Sequence, residues 1–138
     1  MEFNRKASIT AVATAVVIFN LTSCKYEDGP SISLRTKKSR LTGEWEVQFI
    51  DGRGVSGDGN EITLEFEKDG GLNYDITYSY YGYSGSYSFK GEWEWLNGKE
   101  GVEVIIDGDK EEWEITRLTN KELEFEDESR DKWELEKK

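Results

Sequence analysis

Residues 72–95 read LNYDITYSYYGYSGSYSFKGEWEW, and their period decides the fold. Leu72, Tyr74, Ile76 and Tyr78 alternate with Asn73, Asp75, Thr77 and Ser79. Tyr87, Phe89, Trp93 and Trp95 then alternate with Ser88, Lys90, Glu92 and Glu94, and Gly91 stands in the apolar row. A side-chain period of two places one set of residues on each face of a strand, so this stretch predicts two half-buried strands. The hairpin between them has its tip within Tyr78 to Tyr87, at YSYYGYSGSY.

The same period runs outward in both directions. Upstream it appears as Trp45, Val47, Phe49 against Glu44, Glu46, Gln48, and as Ile62, Leu64, Phe66 against Thr63, Glu65, Glu67. Downstream come Val102, Val104, Ile106, then Trp113 and Ile115, then Leu123 and Phe125, then Trp133 and Leu135. All five tryptophans lie on the apolar parity, which fixes the register expected for each strand. No window carries a competing helical period. Most links are short and rich in turn residues: Asp69, Gly70, Gly71; Asn97, Gly98; Asp107, Gly108, Asp109; Thr119, Asn120; and Glu128 to Arg130. Only Asp51 to Asn60 is long.

Eight strands joined this way form an antiparallel meander, because parallel neighbours need crossovers of roughly a dozen residues or more. Closing the meander into an up-and-down barrel hides the apolar face and removes both sheet edges. The expected fold is therefore an all-β, eight-stranded antiparallel barrel over residues 41–138, with a two-sheet sandwich as the alternative. A membrane-spanning barrel is excluded by strand length: such strands need about 9–11 residues, and the last two here supply only Leu123, Phe125 and Trp133, Leu135.

Ahead of the barrel the chain is of another kind. Arg5 and Lys6 precede a mostly apolar run from Ala7 to Leu21, which is the layout of a signal peptide. The run is short of the roughly 20 apolar residues that a spanning helix needs. It ends in Leu21, Thr22, Ser23, Cys24, which resembles the bacterial lipoprotein box, where cleavage precedes a cysteine that carries lipid. That resemblance implies a leader over residues 1–23 and an acylated Cys24, bearing palmitate-type chains, at the head of a tether over 24–40. Within the tether, Lys25 to Pro30 reads as flexible, and Ser31 to Arg40 as a short helix or an extended lead-in. Glu27 and Asp28, close behind the cysteine, resemble surface-export signals of Bacteroidetes lipoproteins.

Composition narrows the chemistry. The chain has 138 residues, 18 basic and 29 acidic, for a net charge of −11. Losing Glu2, Arg5 and Lys6 with the leader makes the balance −12. A field of that sign repels nucleic acid and anionic head groups, so attachment to a membrane falls to the acyl chains on Cys24. Cys24 is the single cysteine, so the domain holds together without a disulfide. There is no histidine, which removes Ser/His/Asp and Cys/His catalysis and the common zinc sites. Glu44, Glu46, Glu65, Glu67, Glu92, Glu94, Glu112, Glu114, Glu122, Glu124, Glu126, Glu134 and Glu136 fall on the polar parity and read as a solvated wall. No acidic pair shares the inward parity as glycoside hydrolysis requires, so no catalysis is expected. Asp51, Asp58, Asn60, Glu61 and Asp107, Asp109 supply oxygen atoms on loops, but neither set has EF-hand spacing, and no metal or other cofactor is expected.

Gly43, Glu44, Trp45, at the start of the first strand, resembles the Gly-x-Trp signature of lipocalins. Together with the LTSC box, the tether and the run SLRTKKSRLTGEW, the chain resembles the compact lipocalin-like lipoproteins of Bacteroidetes. The second lipocalin signature, around a Thr-Asp-Tyr turn, is missing. The resemblance implies that Gly43 and Trp45 close one barrel end with a late arginine stacked on the tryptophan, for which Arg117 and Arg130 are the candidates. It also implies a bacterial cell-envelope location, lipid-anchored on the outer membrane with a periplasmic or surface face.

The inward parity is crowded with rings: Trp45, Phe49, Phe66, Tyr74, Tyr78, Tyr87, Phe89, Trp93, Trp95, Trp113, Phe125 and Trp133. Such bulk predicts a largely filled interior with room for a shallow cup at one mouth. Candidate ligand-binding residues are Tyr74, Tyr78, Tyr80, Tyr81, Tyr83, Tyr87, Trp93 and Trp95. Tyr80, Tyr81 and Tyr83 fall where the strand pattern ends and are expected to be exposed, in the Tyr/Gly/Ser mixture of adaptable binding loops. Two readings follow: a binding protein for a small apolar or aromatic ligand, or a solid barrel that binds a partner protein or glycan through the hairpin tip.

Overall fold

The computed structural model describes residues 36–138. The expected signal peptide, Cys24, Glu27, Asp28 and the expected tether up to residue 35 lie outside the described residues. Within them the chain forms a five-residue helix, α1 (Lys37–Leu41), and nine strands. The strands are β1 (Gly43–Ile50), β2 (Arg53–Gly54), β3 (Glu61–Phe66), β4 (Gly71–Tyr80), β5 (Tyr83–Trp95), β6 (Gly101–Ile106), β7 (Asp109–Leu118), β8 (Glu122–Glu126) and β9 (Lys132–Lys137). Every pairing is antiparallel. Apart from the two-residue β2, each strand pairs with its sequence neighbours, and β9 returns to β1. The fold is thus a closed eight-stranded up-and-down barrel, and the sandwich alternative is excluded by the β1–β9 ladder.

One end of the barrel is sealed. Thr36 caps α1 by accepting a hydrogen bond from Ser39 N–H (3.1 Å), and Leu41 at the far end of the helix is fully buried. Trp45 lies beneath it, and its indole N–H donates to the Leu41 carbonyl at 2.7 Å. A buried indole needs such an acceptor, and this one ties the helix to the barrel floor. The Arg40 guanidinium reaches the Leu118 carbonyl at 3.3 Å, on the opposite wall. Residues 37–40, expected to end the tether, therefore belong to the folded domain. The long Asp51 to Asn60 connection is also ordered by pairing: β2 folds back on Phe49 and Ile50, and Gly57 bridges Asn60.

Two bulges change which residues face inward. Between Val47 and Phe49 the β1–β9 register shifts, leaving Gln48 as the extra residue. Phe49, expected inside, is consequently 44% exposed, and Ile50 packs on the core in its place. A second shift between Ile115 and Arg117 brings Leu118 into the core. A bulge inserts one unpaired residue, which inverts the alternation beyond it.

Gly91 marks where β5 parts from β6. Below it, Gly91 to Trp95 pair with β6; above it, Tyr83 to Lys90 pair with β4 alone. A Cβ at Gly91 would run into the Ile105 carbonyl oxygen, so the close approach of the two backbones requires glycine. Gly91→Ala is expected to cost about 2 kcal/mol, lowering the thermal midpoint by roughly 10 °C. Gly54→Ala, where the nearest atom is a Phe49 ring carbon at 3.9 Å, is expected to change it little. Thermal unfolding followed by circular dichroism distinguishes the two.

Candidate functional site

The end opposite α1 is open. Above the packed layer of Trp45, Phe66, Trp93, Leu118 and Leu135, the interior widens into a cup of about 350 Å³. Its floor and walls are Leu64, Tyr74, Phe89, Val104, Ile106, Trp113 and Trp133. Its rim is Asp107, Asp109, Glu111 and Asp127, and no basic side chain lines it.

Trp113 and Trp133 on one wall belong to a stack of three rings from adjacent strands, with Phe125 between them. Trp113 and Phe125 stack with centroids 4.6 Å apart and planes 8° from parallel, and Phe125 stacks on Trp133 at 5.5 Å and 13°. The indole N–H groups at either end of this stack hold rim carboxylates. Trp113 Nε1 donates to Glu111 Oε2 and Trp133 Nε1 to Asp127 Oδ2, each at 2.9 Å. Two of the acids are thereby fixed in place, with their charge at the mouth of an aromatic cavity. Across the cup, burial pushes the Tyr74 phenol above its ordinary pKa, and the Glu111 charge adds to the shift.

The facing wall belongs to the β4–β5 hairpin. Tyr74 and Phe89 are cross-strand partners with ring centroids 5.9 Å apart. The same face continues past the rim through Ile76 and Tyr87, Tyr78 and Gly85, to Tyr80 and Tyr83. Tyr78 and Tyr87 stack at 5.8 Å, and the Tyr78 phenol lies where a side chain at position 85 would stand. The strands run on to Tyr80 and Tyr83, further than the alternation predicts, and the turn is only Tyr81 and Gly82, both at positive φ (45° and 80°). Tyr80, Tyr81 and Tyr83 are 69%, 85% and 77% exposed. Tyr78 and Tyr87, expected in the interior, are exposed as well, because β5 has parted from β6 at Gly91, before it reaches Tyr87, and β4 parts from β3 after Thr77, before it reaches Tyr78. Asn60 braces the ribbon from outside, its Oδ1 accepting from Ser79 N–H at 3.1 Å.

The structure divides the expected ligand-binding residues into three groups. Tyr74 lines the cup; Tyr78, Tyr80, Tyr81, Tyr83 and Tyr87 form the ribbon beyond it. Trp93 and Trp95 are elsewhere, in the half toward the sealed end. Trp93 is buried edge-on against Phe66 and donates to the Glu67 carbonyl at 2.9 Å, and Trp95 packs edge-on against Trp93. Their parity is inward, but parity does not specify height along the barrel axis. Phe89, Trp113 and Trp133, which do line the cup, carried the same inward parity, and their heights follow only from the stagger of the strands.

At the sealed end Gly43 and Trp45 meet a cation, although it is not an arginine. Lys137 Nζ lies 4.3 Å from the Trp45 ring centroid and donates to the Arg40 carbonyl (3.1 Å) and to that of Thr42. Gly43 makes this possible: it has φ +118°, and a Cβ there would meet the Lys137 side chain. Arg117 instead pairs with Glu122 (2.9 Å) and Glu124 (3.5 Å). Arg130 lies in the β8–β9 connection at the open end, at φ +69°. Among the described residues no group of acidic and cysteine side chains is arranged to hold a metal ion.

A barrel sealed at one end by a tryptophan and a short helix, and open at the other, is a lipocalin-like barrel. A crystal structure of a lipocalin-like protein from Bacteroides uniformis superposes on this chain with a TM-score of 0.54. The match covers 72% of this chain and 99% of the other, at 20% sequence identity, a level that speaks for the fold alone. No protein-family model and no curated protein matches the sequence.

Outside the cup, the turn after β1 and the turn before β9 bring two carboxyl groups together. Asp51 accepts the Lys132 N–H at 2.8 Å, which holds its carboxyl below the usual range. Asp131 shares a hydrogen bond with Asp51, and that bond and the neighbouring charge push its carboxyl up. A raised carboxyl stabilises the fold while protonated, and that contribution is lost as pH rises through its folded pKa. Asp131→Asn is therefore expected to raise the thermal midpoint at pH 7 and to have no such effect at pH 3, as read by paired melts at the two pH values.

Proposed function

We propose that the protein is a lipid-anchored binding protein of the bacterial cell envelope, which holds a small apolar or aromatic ligand in the cup and performs no catalysis. The observation that carries this reading is the aromatic-walled cavity itself, open to solvent at one end of an otherwise packed barrel. Its volume is at the low end of the range for small-molecule sites, about 300–1,000 Å³, and it has the usual apolar lining with a few polar groups at the edge. The lipocalin-like barrel is typically a binding fold, and the chain has no histidine for acid–base work. Anchoring rests on the LTSC box and on the leader ahead of it, and both precede the described residues. In this reading the domain is tethered to the outer membrane through acyl chains on Cys24, facing the periplasm or the cell surface.

The binding test uses the full chain in phosphatidylcholine nanodiscs, with N-phenyl-1-naphthylamine as a neutral apolar probe and empty nanodiscs as the blank. Saturable binding is expected, and Ile106→Trp, which fills the cup from its own wall, should weaken it at least tenfold with an unchanged circular dichroism spectrum. Absence of saturable binding to the unaltered chain overturns the ligand reading. The anchoring has its own test: Cys24→Ala should abolish labelling by an acyl-chain probe and move the protein out of the membrane fraction, and unchanged partitioning refutes it.

A second reading is favoured by the ribbon. Tyr80, Tyr81 and Tyr83 offer exposed rings on a two-stranded arm, which suits an adaptor for a partner protein or glycan. It predicts that serine substitutions at these positions remove partner binding and leave the small-probe isotherm intact.

A further inference from the structure

The proposed cup has an apolar interior and a mouth of one sign, and the two together restrict what can enter. Four carboxylates, Asp107, Asp109, Glu111 and Asp127, surround the opening. Of the nearby cations, Lys110 and Lys132 are turned to the outer wall, where they already have partners, Lys110 with Glu103 at 2.9 Å and Lys132 with Glu124 and Glu134 at 3.2 and 3.3 Å, and Arg130 lines a different groove with Glu112, Glu114, Glu126 and Glu128. Indole N–H groups fix the Glu111 and Asp127 carboxylates at the edges of the Trp113 and Trp133 rings. A positive charge placed there meets carboxylates on one side and ring faces on the other, and both attract it. A carboxylate or phosphate head group at the same point would face four like charges with no cation in the lining to offset them.

Resting on the reading of the cup as a ligand site, we propose that its ligand class is an organic cation: a protonated amine or quaternary ammonium at the rim, carried on an aromatic or aliphatic body that fills the space between Tyr74, Phe89, Trp113 and Trp133. The body supplies the burial, and the charge supplies the selection against anionic amphiphiles such as fatty acids. The indole hydrogen bonds act as positioning contacts, holding two rim carboxylates at fixed points above the stacked rings.

The test compares three probes that share one ring system and differ in charge: 2-(1-naphthyl)ethylamine, 2-(1-naphthyl)ethanol and 1-naphthylacetate. Each is titrated calorimetrically into the full chain in phosphatidylcholine nanodiscs against empty nanodiscs. The amine is expected to bind about tenfold more tightly than the alcohol, and the acid more weakly than either. The variant Asp107→Asn/Asp109→Asn/Glu111→Gln keeps the shape, and the amide introduced beside Trp113 still offers its indole N–H an acceptor, so the amine's advantage over the alcohol should collapse. An alcohol or acid that binds as tightly as the amine, or an advantage that survives in the variant, overturns the cation assignment. If all three probes fail while N-phenyl-1-naphthylamine binds, the assignment falls and the cup stands as a site. If that neutral probe fails too, both fall.

Discussion

The ladder between β1 and β9 is the constraint on which the rest depends. An eight-stranded meander has one apolar face and two free edges; joining first strand to last buries the face and removes the edges together. Trp45 sits on β1 at this seam, paired with Leu64 on one side and Lys137 on the other. Its ring is a fully buried plug, its indole N–H is satisfied by the α1 carbonyl of Leu41, and its face is covered by the Lys137 ammonium. Three parts of the chain, the helix, the first strand and the last, thus converge on one side chain. Gly43 allows the convergence because it has no Cβ to occupy the space that Lys137 uses.

Sealing one end concentrates any spare volume at the other. Gly91 then determines the form of that opening. Up to this residue β5 is a barrel stave paired with β6; beyond it β5 keeps only β4, which stays on β3 as far as Thr77, and past that point the two continue as a two-stranded arm. The cup is therefore bounded on one side by the Trp113, Phe125, Trp133 stack and on the other by Tyr74 and Phe89 at the root of the arm. Tyr78, Tyr80, Tyr83 and Tyr87 lie on the same face of the hairpin as Tyr74 and Phe89, so the row that forms the cavity wall continues out to the exposed tyrosines. Charge follows a similar logic: with glutamates on the outward parity of nearly every strand, Lys110 and Lys132 beside the opening are taken up by outer-wall pairs, and the rim is left acidic.

The strands and their faces were legible in the residues because a period of two is a local property that burial enforces. Trp45, Phe66, Trp93, Trp113, Phe125 and Leu135 are inside as their alternation requires. Phe49 is not, because the Gln48 bulge reverses the parity beyond it, and nothing in GEWEVQFI marks a bulge before the partner strand is known. Tyr78 and Tyr87 have the correct parity and yet are exposed, since alternation says which face a residue occupies and not whether anything lies opposite. The cation over Trp45 was assigned by resemblance to an arginine; Lys137 holds the place because β9 ends beside the start of β1.

By itself the sequence determined the all-β class, the antiparallel order, the aromatic composition of the interior, the acidic exterior and the absence of histidine chemistry. Each of these follows from residue type and near-neighbour spacing. Tertiary structure alone decided which end is sealed, that Tyr74, Phe89, Trp113 and Trp133 share a cup while Trp93 and Trp95 do not, and that the rim above it carries one sign of charge. These depend on strand stagger, on two bulges and on the closure of β1 with β9, all of which bring together residues far apart in the chain. Height along the barrel axis is set by pairing register, and register is a relation between strands that no single strand contains.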